Sequence, residues 1–267
     1  MRKRMKKNFR VLRELFRIRF QHLMLFRLGF FGPFFVDGSL FAVQLMVFGA
    51  VYSNVDRIGA WGEGEMILFI GTFSLINAVG MAFYFFGIRQ VPDKIRNGEL
   101  DLYLTKPVSP LLRLTFEQIN PGSLPLIAMS LCIIGYGARR AGIVPHAEDV
   151  LLYLGWLAVM ILLHYDMMVL IRSVCFYLVT NAKLEQLEDA ALELCMKLPG
   201  IAFYGIYRIV FCFLLPYGLM ATLPVQSILG ELRWQAALQG LAVAAAFTGL
   251  TACAWKRGLR HYNSASS

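Results

Sequence analysis

Charge is scarce in this sequence: Asp, Glu, Lys and Arg make up 16% of its 267 residues, and only 17 residues are acidic. A soluble domain usually carries about 25% charged residues. The five cysteines (Cys132, Cys175, Cys195, Cys212 and Cys253) are scattered without Cys-x-x-Cys spacing. That argues against a disulfide framework or a thiolate metal site, and reads them as small buried hydrophobes. The four histidines, His22, His146, His164 and His261, stand apart, and neither His-Glu-x-x-His nor Gly-x-Ser-x-Gly occurs. The Gly-x-x-x-x-Gly-Lys-Ser/Thr loop that cradles nucleotide phosphates is missing too. His164 and Asp166 share a segment, but positions i and i+2 point to different faces of a helix. An enzyme is therefore not expected, and neither a metal nor a cofactor is expected on this chain.

Apolar residues are abundant, at 58% with a mean hydropathy of +0.58. This excludes a disordered chain, a collagen or a small disulfide scaffold, and points to an all-α integral membrane protein. One crossing of the hydrocarbon takes about 20 residues. Six apolar segments, at 30–52, 66–88, 119–136, 150–179, 201–223 and 236–255, leave only short loops. The expectation is a single transmembrane domain over 1–267, with six transmembrane helices. In lipid an unpaired backbone group is costly, so the spans must be helices. Continuous apolar runs exclude a barrel, whose strands alternate.

Residues 1–27 carry 10 of the 26 Lys and Arg. Phe9, Leu12, Phe16, Phe20 and Leu23 recur at helical spacing between Arg10, Arg13, Arg17 and Gln21. This predicts an amphipathic helix lying along an anionic leaflet. The segment is too long and basic for a signal peptide. The charge reads as an orientation signal, so no nucleic acid is expected as a partner. With the N-terminus inside, the inner segments, 181–200 among them, hold twenty Lys and Arg and the outer loops four. That bias places both termini in the cytoplasm.

Four charged residues fall within apolar segments: Asp37, Asp166, Arg172 and Arg208. Each costs about 2.5–3.5 kcal/mol at the bilayer centre on insertion scales. Asp37, Arg172 and Arg208 lie at similar depth, which suggests that Asp37 pairs with one of the arginines. Arg208 could alternatively snorkel to the headgroups.

The most informative stretch is the loop 89–113. Pro92 suits the first turn of a short helix and Asn97-Gly98 its end. Glu99 and Asp101 favour the start of a second short helix, which Pro107 stops. The loop is expected to present Leu100, Leu102, Tyr103 and Leu104 among charges of both signs, as a docking surface.

The run Ile95 to Arg113, reading IRNGELDLYLTKPVSPLLR, resembles the cytoplasmic loop of bacterial ABC transporter permeases of the type-two, exporter-like class. Within that class it is similar to a six-span group carrying a GELD-L-L-KPV-P signature. Gly59-Ala60-Trp61, Leu198-Pro199 and the tail from Arg257 to Ser266 resemble the same group. The resemblance implies a permease subunit of the bacterial inner membrane, exporting an amphiphile, drug or peptide. It implies two partner ATPase subunits that bind ATP and Mg, and a second permease chain, identical or related. Glu99, Leu100, Asp101, Leu102, Tyr103, Leu104, Lys106 and Pro107 would form the coupling helix that docks on the ATPase. An ATP-independent secondary transporter or channel is the alternative, and an intramembrane lipid-acting enzyme the third. Secondary transporters commonly carry internal repeats, and none is evident here.

Overall fold

The computed structural model describes residues 17, 27–178 and 182–262, and among them all regular structure is helical. The basic helix expected over 1–27 lies almost wholly outside the described residues. The main helices are α1 (Arg27–Tyr52), α2 (Glu63–Phe83), α3 (Phe85–Arg89), α4 (Val91–Arg96), α5 (Asp101–Leu104) and α6 (Pro110–Glu117). They continue as α7 (Leu124–Arg140), α8 (Ala147–Ser173), α9 (Ala182–Lys197), α10 (Gly205–Ile209), α11 (Tyr217–Met220), α12 (Thr222–Ile228) and α13 (Trp234–His261). Four helical stretches are long and apolar enough to cross a bilayer: Glu63–Phe83, Pro121–Arg140, Ala147–Phe176 and Trp234–His261. A shorter apolar stretch, Gly38–Tyr52, lies in α1.

The bundle has two ends, one marked by Trp61 and the other by Tyr103. Helices α2 and α7 run antiparallel at very close range. A Cβ on Gly64 would lie 2.4 Å from the Ala141 nitrogen, one on Gly71 2.9 Å from the Ile134 nitrogen, and one on Gly137 2.5 Å from the Leu68 nitrogen. Small residues let helix backbones meet in lipid, where packing rather than water exclusion holds helices together. The Arg140–Glu63 ion pair, at 3.1 Å, closes the Trp61 end. Helices α8 and α13 run parallel to α2: the Thr72 and Tyr153 hydroxyls are 2.9 Å apart, and Thr251 donates to the Asp166 carbonyl at 3.0 Å. Gly137→Leu is expected to destabilise the chain by about 1–3 kcal/mol or more, because the obstacle is backbone. A thermal aggregation midpoint equal to wild type in detergent would refute that contact.

The fifth apolar segment, 201–223, is not the straight span expected. Its helices, Gly205–Leu214 and Tyr217–Ile228, meet at a 78° bend. Pro216 has no N–H to give and pushes Leu215 out of the helical region, to φ −124° and ψ 75°. Both ends of the segment meet the same loop. The Ile201 side chain lies against Gly59, and Trp61 Nε1 donates to Glu231 at 3.2 Å. The segment therefore enters from the Trp61 end and returns to it.

Helix α9, placed in an inner loop by its charges, leads from the Tyr103 end of the bundle toward α1 and the re-entrant segment. At its middle Asp189 pairs with Arg89, at 3.7 Å. At its finish Gln44 of α1 donates to the Met196 carbonyl at 2.7 Å, and Gly200 N–H donates to Thr222 at 2.8 Å.

Candidate functional site

The loop between α2 and α7 builds a platform at the Tyr103 end. Pro92 sits in the first turn of α4, and Gly98 takes φ +73°, a left-handed conformation that glycine adopts without strain. Asp101 occupies the first turn of α5, which ends at Leu104, three residues before Pro107.

The four apolar side chains of this loop do not share one surface, which corrects the expected docking face. Leu100 is 0% and Tyr103 4% exposed, packed with Tyr84, Ile88, Leu114, Val169 and Trp255 in the chain's own core. Leu102 and Leu104 point outward, at 64% and 44% exposure. The reason is helical spacing: positions i and i+3 share a face, and Leu102 falls between them. Glu99, Lys106 and Pro107 are exposed alongside the two leucines.

Tyr103 is an anchor. Its hydroxyl accepts from Lys94 Nζ at 2.6 Å and donates to Glu117 at 2.6 Å. The Arg113 guanidinium lies over its ring, 4.6 Å from the centroid. Burial, and then the Glu117 carboxylate, push the phenol pKa up, so it stays a donor. Lys94 also lies 3.9 Å from Glu99 and is thus engaged within the chain. Arg96 pairs with Asp93 on the surface, while Lys106 has no ion pair among the described residues. Tyr262, just past α13, is drawn into the same platform: burial and the neighbouring Asp101 carboxylate raise its pKa.

One charge within the bundle has a partner that the sequence reading did not name. Arg172 on α8 forms an ion pair with Glu188 on α9, both side chains 1% exposed, and Glu185 stands 4.0 Å away. The Tyr217 hydroxyl, at the tip of the re-entrant segment, donates to Glu188 at 3.2 Å. This polar node joins α8, α9 and α11. Asp37 falls on α1, but its side chain lies outside the described residues. Asp166 accepts from Thr248 on α13, and His164 meets the Tyr84 hydroxyl at 2.9 Å, so the two residues do serve separate faces. Arg208 is exposed on α10 and lines a cavity at the Trp61 end. Sequence reading missed Glu188 and Tyr217, although Glu188, Ala191 and Cys195 repeat at the spacing of one buried helical stripe. Among the described residues no cluster of His, Cys, Asp or Glu could hold a metal.

These features define a multi-pass, all-α membrane protein with a structured polar platform at one end. Residues 39–266 match the family model of the ABC-2 family transporter protein, and the chain belongs to that family. It is accordingly a membrane-embedded permease component of an ABC transporter, a transport part whose family works with ABC ATPase subunits. No curated protein and no solved structure matches the chain.

Proposed function

We propose that the chain is the permease of an ATP-driven exporter, one of two identical or related permeases seated on two ATPase subunits. Leu102, Leu104, Glu99, Lys106 and Pro107 form the contact. ATP and Mg bind to the ATPases, and the cargo is an amphiphile, drug or peptide leaving across a bacterial inner membrane. The observation that carries this reading is the division of one short segment into a clasped inner face and an apolar, charge-flanked outer face. Ordering long side chains costs entropy, and an idle loop gains nothing from clasping Lys94, Tyr103, Arg113 and Glu117 together. Affinity purification from mild detergent, with partners identified by mass, tests it. An ATPase carrying a phosphate-binding loop is expected in stoichiometric amount. Intact permease recovered repeatedly without one would favour an ATP-independent transporter.

The same proposal includes six crossings: α1, α2, α7, α8, α9 and α13, with 200–231 returning to the side it left. Lys197 then moves to the outer side, and nineteen inner Lys and Arg face five outer ones, which still satisfies the positive-inside rule. Both termini are cytoplasmic in this arrangement. In a background whose native cysteines are replaced, Asp56→Cys and Leu198→Cys are expected to react with an impermeant maleimide from the periplasm, and Asn97→Cys is not. Reaction of Leu198→Cys from the cytoplasm alone would return α9 to an inner loop.

A further inference from the structure

A cavity of about 480 Å³ opens between the re-entrant segment and α13 at the Trp61 end. Arg208, Arg233, Gln226 and Gln239 line it, with Phe203 and Leu223 among its apolar walls, and none of the described residues lining it is acidic. The other arginines that bridge elements of the bundle have carboxylates: Arg172 meets Glu188, Arg140 meets Glu63, and Arg89 meets Asp189. Among the described residues Arg208 and Arg233 have no ion pair, and neither glutamine amide is taken by a hydrogen bond. The one acid nearby in sequence, Glu231, accepts from Trp61. Two guanidinium forks and two amides around an apolar floor lack a negative charge, and a planar or tetrahedral oxyanion is what such forks hold best.

We propose that this cavity binds the anionic head of an amphiphile, phosphate-like in chemistry, with the tail against Phe203 and Leu223. As a cargo site on the exit side of an exporter it rests on the permease reading; as a binding site it stands on the cavity alone.

The test uses the full-length chain in detergent micelles, with two fluorescent-tailed lipids as probes, a phosphatidic acid and a phosphatidylcholine. The phosphatidic acid is expected to bind at least about tenfold tighter, since a hydrogen bond to a charged group is worth that much. Arg208→Gln/Arg233→Gln should abolish that preference while leaving phosphatidylcholine binding and the melting midpoint unchanged. If this variant does not fold, Gln226→Leu/Gln239→Leu provides the second reading, with an expected loss of about tenfold or less. Displacement of the probe by millimolar inorganic phosphate would identify a free anion as sufficient; resistance to it would show that the tail is required. Either result upholds the anion site. Equal affinity for the two lipids, or an unchanged preference in the variants, overturns it. ATPase co-purification is scored on the same preparations. Lost discrimination with the ATPase still bound defeats this inference alone, and an absent ATPase with discrimination intact defeats the permease reading alone.

Discussion

Arg172→Met is expected to be the most damaging single substitution within the bundle. It strands Glu188, whose side chain is 1% exposed and whose remaining donor is Tyr217. Removing one partner of a buried ion pair costs about 3–5 kcal/mol. A domain's total stability is only about 5–15 kcal/mol. The thermal aggregation midpoint in detergent should therefore fall sharply. Glu188→Gln should be milder in its effect on α11, because the amide still accepts from Tyr217. The double variant Arg172→Met/Glu188→Met should recover much of the loss, since two apolar side chains replace the pair without leaving a charge behind. A double variant no better than Arg172→Met would mean that the node acts through geometry rather than through charge balance.

Leu102→Asp and Leu100→Asp, two residues apart, should fail in opposite ways. Leu102 is 64% exposed, so the acid there leaves the fold alone. Burying such a leucine against a partner contributes about 1.5–3 kcal/mol, so its loss together with the added charge should weaken ATPase association by a factor of ten or more. Leu100 is 0% exposed between Tyr84, Ile88 and Trp255, where a carboxylate finds no partner and the chain itself should unfold. Melting midpoint and ATPase co-purification, measured side by side, separate the two. Full assembly of a well-folded Leu102→Asp variant would remove the outer face of this loop from the interface.

Much of this architecture was legible because lipid imposes a coarse rule on sequence. Continuous apolar runs marked 30–52, 66–88, 119–136, 150–179 and 236–255, and each falls on a helix of the bundle. Pro92, Gly98 and Pro107 marked the short helices of the platform for an equally local reason. The sequence was least informative where one segment's cost is met by another. Helix α9 carries Lys183, Glu185, Glu188, Asp189, Glu193 and Lys197 in 16 residues, and hydropathy reads them as a solvated face. Glu188 is admitted because Arg172, 16 positions earlier, meets it. The segment 201–223 failed in the converse way: its apolar content suits lipid, but Pro216 and the close approach of Gly200 to the Gly218 carbonyl, 2.4 Å from a Cβ placed there, fold it back. At the platform, apolar identity was readable but direction was not, because a single helical turn decides which of Leu100, Leu102, Tyr103 and Leu104 faces in.

A loop hung between two slack strands would absorb a push as a change in its own shape. The segment around Tyr103 has little slack. One hydroxyl ties α4 to α6 through Lys94 and Glu117, and Arg113 caps the ring. Helix α6 bears in turn on α3 with no cushion: a Cβ on Gly87 would lie 2.1 Å from the Leu114 carbonyl oxygen. Displacement applied at Leu102 thus has a short, stiff load path, through a polar clasp and then a backbone-to-backbone bearing, into the foot of α2. As the proposed ATPase contact, the segment would work as a crank rather than a tether: a small shift at its outer face would be delivered as tilt in the helices behind it.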